Sequence, residues 1–156
     1  MYEVKSIMYI KNTVTKSDKA IEERDLRDLE DKYGFKFPQD IKRFYLQYNG
    51  GILKKHYYIS EEETVLDGFI FQKFYSIKYG LATLDMKMEL NYADDWWPKE
   101  YIPFGFDGGG NSYCFHKESG KIYYIYEDDS SDDDSVPVEY IAPDFITFIN
   151  NMIDEQ

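Results

Sequence analysis

An α+β domain with a mainly antiparallel β-sheet flanked by helices is what the order of patterns along this chain predicts. Three observations carry the prediction. Two apolar stripes at helical spacing come first and end in glycine. Runs of β-forming residues with a hairpin turn fill the middle, and a last helical stripe closes the chain. Helices segregated from strands argue against the alternation of a doubly wound parallel sheet.

In the first stripe, Leu26, Leu29 and Tyr33 recur at helical spacing, with Glu22, Glu23 and Asp25 at the positive end of the helix dipole and Gly34 as its left-handed stop. Pro38 suits the first turn of a second helix, where its missing N–H costs nothing. Ile41, Phe44, Tyr45 and Tyr48 give that helix a core-facing stripe, and Asn49 and Gly50 end it, since both tolerate positive φ. Phe35 and Phe37 sit in the connection and plug the gap between the two helices. Ahead of them, Val4, Ile7, Met8 and Ile10 make a short apolar element that fits either period.

Residues 57–59 and 69–75 read as strands. Residues 84–90 are ambiguous, with a helical lean from Leu84, Met88 and Glu89. Residues 112–116 and 121–126 flank Lys117-Glu118-Ser119-Gly120, a good hairpin turn. The strand through Ile122, Tyr123, Tyr124 and Ile125 is apolar on both faces, which suggests a central position. Residues 136–141 suit a short strand that Pro137 marks as an edge. Pro143 and Asp144 start the closing helix, with Phe145, Phe148, Ile149 and Met152 as its stripe.

The 156 residues suffice for a single domain with its own core. Aromatics make up 19% of the chain, enough for a core and for an adhesive face as well. Thirty acidic against 18 basic residues leave a net charge of −12. That balance disfavours nucleic acid as a partner, because phosphate contacts need clustered Lys and Arg. Cys114 is the only cysteine, so no intramolecular disulfide forms. The N-terminal residues show no secretory signal and no stretch has the length of a membrane span, so a cytoplasmic location away from membranes is expected.

Several segments invite chemistry. Ser112, Cys114 and His116 share one strand face, but no orienting third group is evident, and packed strand residues are the simpler reading. Asp128, Asp129, Asp132, Asp133 and Asp134 lie in an acidic loop over residues 127–135 that lacks the spacing and glycine of a calcium loop. Neither a metal nor a cofactor is expected. Gly108-Gly109-Gly110 lacks the Lys and Ser/Thr of a phosphate loop, and Asp107 would repel an anion, so a tight turn is favoured. Trp96 and Trp97, preceded by Asp94 and Asp95, balance between core packing and an exposed interface anchor.

The ordered set of Leu29-Glu30, Gly34, Phe37-Pro38, Phe44-Tyr45 and Asn49-Gly50-Gly51, then Ile102-Pro103, Asp107-Gly108, Gly110-Asn111, Ile122-Tyr123-Tyr124 and Ile141 to Phe145 with Phe148, resembles the SUKH superfamily over roughly residues 20–153. Within that pattern Glu30, Gly34, Pro38, Asn49, Gly50, Gly51, Gly110 and Asn111 read as structural motif positions. The resemblance implies an α+β domain, two N-terminal helices, one C-terminal helix, and a non-catalytic binding role. Many bacterial members look like immunity proteins that neutralise a cognate toxin, whereas fungal members are regulatory scaffolds. An acidic immunity protein suits a basic, nuclease-type toxin domain. The expected partner contacts are then Asp94, Asp95, Trp96, Trp97, Asp107 and the loop aspartates named above. A regulatory scaffold or small-ligand sensor on the same fold is the alternative.

Overall fold

The computed structural model describes residues 9–81, 85–92, 99–126 and 137–155. Its centre is a five-stranded antiparallel sheet. The strands are β5 (Lys73–Phe74), β6 (Tyr101–Phe106), β7 (Ser112–His116), β8 (Ile122–Ile125) and β9 (Val138–Ala142), neighbours in that order. Two short antiparallel pairs extend the framework: β1 (Val14–Thr15) with β2 (Ile52–Leu53), and β3 (Tyr57–Tyr58) with β4 (Phe69–Ile70). The helices are α1 (Glu23–Tyr33), α2 (Gln39–Gln47), α3 (Met86–Tyr92) and α4 (Phe145–Asn150). The chain is therefore α+β with antiparallel sheets, as its patterning predicts.

Helix α1 begins with a reciprocal cap, in which the Glu22 N–H donates to Asp25 at 2.9 Å. It ends at Gly34, whose φ of 72° and ψ of 47° are left-handed, and whose N–H donates to the Glu30 carbonyl. Leu26 and Leu29 face the core, while Glu30 turns its carboxylate inward to accept the Phe37 N–H at 2.8 Å. That contact joins the end of α1 to the entry of α2, where Pro38 occupies the N-cap. Phe35 and Phe37 pack edge to face and both lie against Phe115 of β7, so they plug the helices onto the sheet as well as onto each other.

One sheet face carries the core. Phe44 of α2 lies 4.6 Å from Phe74 and 5.1 Å from Phe145, and Phe71 lies 4.5 Å from Phe74 and 5.0 Å from Tyr113. All of these rings are fully buried, each contributing roughly 1.5–3 kcal/mol through area removed from water. The Tyr45 hydroxyl satisfies itself at the Tyr75 carbonyl, 2.8 Å away. Helix α4 starts at Asp144, whose carboxylate accepts the Thr147 N–H at 2.7 Å, and it buries Phe145, Phe148 and Ile149.

The Lys117–Gly120 turn joins β7 to β8, β8 is interior and β9 is an edge. Residues 69–75 do not make one strand. They divide into β4 and β5, which pair with different strands, because Phe69, Phe71 and Phe74 all enter the core from a chain that bends between them. Of the ambiguous stretch, residues 86–90 fall in α3, with Asp85 accepting the Lys87 N–H at its start, and Leu84 lies outside the described residues. Asn49 does not adopt positive φ; only Gly50 and Gly51 do so at this stop. The Asn49 amide instead donates to the carbonyls of Lys19 and Ile77 and accepts the Ile77 N–H at 2.7 Å, clamping three chain segments.

Candidate protein-interaction surface

Alternation along the strands sends a second set of side chains to the sheet face away from the core. Cys114 and Ile125 are fully buried there, with Tyr101 and Val138 packed against them. Beside this patch, one half-buried aromatic from each of four strands forms a row. Tyr101 of β6 faces His116 of β7 in register, with ring centroids 5.4 Å apart. Tyr123 of β8 lies 4.9 Å from Tyr101 and 6.2 Å from His116. Tyr140 of β9 is the register partner of Tyr123 at 5.7 Å. Edge-on contacts of this kind stiffen a row while leaving ring faces and phenol tips accessible.

Charged side chains border the row. The Lys121 ammonium sits 5.8 Å from the Tyr140 ring centroid. Burial holds the Tyr140 phenol above its ordinary range, and the fields of Glu62, Tyr123, Asp144 and Glu61 add to it. Burial, Tyr123 and Glu100 do the same for Tyr101.

Ser112, Cys114 and His116 do share one face, as period two requires. His116 Nδ1 accepts the N–H groups of Glu118 and Ser119 at 3.2 and 3.4 Å, so it closes the hairpin turn. Cys114 is enclosed in the packed patch. Among the described residues, no three His, Cys, Asp or Glu side chains gather as metal ligands.

The glycine loop is a β6–β7 turn built around Asp107. One carboxylate oxygen accepts the N–H groups of Gly109 and Asn111 at 2.9 and 3.0 Å; the other accepts the Asn111 amide and the Tyr124 hydroxyl. The inward-pointing amides that would cradle a phosphate thus hold the protein's own carboxylate. Asp107 is half-buried and fully engaged, so its charge serves the turn first.

Asp94, Asp95, Trp96 and Trp97, and Asp128, Asp129, Asp132, Asp133 and Asp134, lie outside the described residues. Glu30, Gly34, Pro38, Asn49, Gly50, Gly51, Gly110 and Asn111 fall at caps, turns and clamps. The aromatic row was missed in the sequence because each member is an ordinary strand residue. Only the register brings Tyr101, His116, Tyr123 and Tyr140 together.

Cavities open elsewhere among the described residues. One, about 560 Å³, lies between α1 and the segment around Lys78, with Asp25, Lys32, Asp85 and Lys87 in its lining. Another, about 510 Å³, is a shallow groove where Ile52, His56 and Ile70 approach Gly108. Neither converges a nucleophile, a base and an oxyanion donor. Among the described residues, no helix is long and apolar enough to cross a membrane.

Comparison with curated proteins finds no match. A family model does match, over residues 20–151, which takes in α1, α2, the whole five-stranded sheet and α4. The chain belongs to the SMI1 / KNR4 family (SUKH-1).

Proposed function

We propose that this chain is a non-catalytic protein-binding module of the immunity type, which neutralises a cognate toxin domain by occluding it. Membership of the SMI1 / KNR4 family is the observation that carries this reading. The net charge of −12 supports a basic partner, and a nuclease-type toxin is basic because its substrate is a polyanion. The aromatic row supplies the kind of side chains that anchor protein interfaces. Asp94, Asp95, Trp96, Trp97 and Asp107, and the aspartates at 128, 129, 132, 133 and 134, belong to the proposed contact set, Asp107 also holding the turn between β6 and β7. The proposed setting is the cytoplasm of the producing cell.

The test is genetic and biochemical together. The reading frame next to this one is expressed in a sensitive host with and without the chain. Growth restored by the chain, together with a purified complex of the two proteins, is the expected result. A neighbour that is harmless, or toxicity that persists although the two proteins are both made, contradicts it.

A further inference from the structure

We propose that the loop joining β3 to β4, residues 59–68, together with Ile70, is a preformed docking edge for a basic protein surface. The inference rests on the protein-binding reading above and adds where the contact lies and what chemistry it takes. Ile59, Val65, Leu66 and Ile70 are 52%, 81%, 37% and 43% exposed. They account for most of the large apolar side chains that the described residues leave in water, and they fall within one hairpin. Scattered exposed aliphatics need no explanation, but a cluster on one loop marks an interaction site.

The same loop carries Glu61, Glu62, Glu63 and Asp67, all exposed, and no lysine or arginine occurs between Lys55 and Lys73. The carboxylates therefore have no cation on their own segment. An apolar centre inside an acidic rim is complementary to a basic surface with apolar contacts of its own. A second copy of this chain would bring the same negative rim against it, and anionic lipid or nucleic acid would be repelled.

The loop is anchored. Ser60 Oγ donates to the Ile141 carbonyl at 2.6 Å, and the Val65 N–H donates to one Glu139 oxygen at 3.0 Å. The other Glu139 oxygen accepts the Tyr126 hydroxyl at 2.8 Å, and Thr64 Oγ1 donates to the Leu66 carbonyl at 2.6 Å. A surface fixed before binding loses less conformational entropy when a partner arrives. The Ser60 bond also takes up the Ile141 carbonyl of β9, the edge strand beside the loop. That bond sets the loop beside the strand that carries Tyr140.

The experiment places the photo-crosslinking residue p-benzoylphenylalanine at Val65 of the full chain in its native cell, with Arg27 on α1 as the comparison position. The expected result is a crosslink from Val65 to a protein of net positive charge. Binding of that purified protein then weakens at least about tenfold in V65D and in E61K/E62K/E63K, while the urea midpoints stay unchanged. A crosslink from Arg27 alone overturns the docking edge and leaves the protein-binding reading standing. Crosslinks from neither position overturn both. A Val65 crosslink to an acidic protein or to a second copy, or undiminished binding by the variants, overturns the basic partner.

Discussion

The Tyr124 hydroxyl on β8 donates to the Asp107 carboxylate in the turn between β6 and β7. Through that contact one acidic side chain ties the glycine turn to an interior strand. Burial and the neighbouring Asp107 together hold the Tyr124 phenol far above its ordinary range.

Removing either partner should therefore unsettle the turn. D107A deprives the N–H groups of Gly109 and Asn111 and the Tyr124 hydroxyl of their acceptor at once, and it should cost about 3 kcal/mol in urea unfolding. Y124F should cost about 1–2 kcal/mol. The double variant should lose less than the sum, because the two residues share one contact. Additive losses would show that the contact contributes nothing.

Gly51 and Gly34 provide a matched comparison. Both have positive φ, but an added Cβ at Gly51 would lie 2.6 Å from the Thr15 carbonyl oxygen, whereas at Gly34 it meets open space. G34A should cost about 1 kcal/mol, from backbone strain alone. G51A should cost about 3 kcal/mol, since β1 must also move away from the stop. Equal losses would mean that the β1 contact is pliable.

The cap of α1 is pH-dependent with a definite sign. The backbone bond from Glu22 holds the Asp25 carboxyl below its ordinary 3.8, with the Lys78 ammonium 3.4 Å away assisting. A lowered carboxyl contributes stability that is complete above 3.8 and is lost as pH falls through its folded value. D25N should therefore be less stable than the parent at neutral pH, and the two should converge in acid. Parallel curves of urea midpoint against pH would rule out this role.

Alkali should act on the buried phenols. Burial raises Tyr45 and Tyr113 well above the ordinary 10.0, and it raises Tyr58 to about 12 with help from Glu61, Tyr140 and Asp144. The folded state then binds more protons than the unfolded state above pH 10.0, so stability falls as pH rises past that value. Tyrosinate absorbance should show these phenols ionising together with unfolding. Full ionisation of all tyrosines in a protein that stays folded would contradict their enclosure.

How much of this was legible in the sequence depended on how local the signal was. Leu26, Leu29 and Gly34, and Ile41, Phe44 and Tyr45, announce α1 and α2 within one or two turns. The Lys117–Gly120 turn announces its hairpin for the same reason. The division of residues 69–75 was hidden, because Phe69, Phe71 and Phe74 read as one strand until their partners on β3 and β6 are known. Asp107 reads as a surface charge because nothing in the sequence tells that its own turn supplies the donors. Val65 and Leu66 belong to no pattern in the sequence, and only the fold shows them in water beside Glu61–Glu63.

The most direct measurement of the central claim is the association rate of the chain with the product of the neighbouring reading frame, the proposed partner, followed from about 50 to about 500 mM salt. Steering between an acidic chain and a basic partner predicts a rate that falls at least about tenfold across that range, with a much smaller change in dissociation. A rate that is indifferent to salt, or no association at any ionic strength, would contradict it.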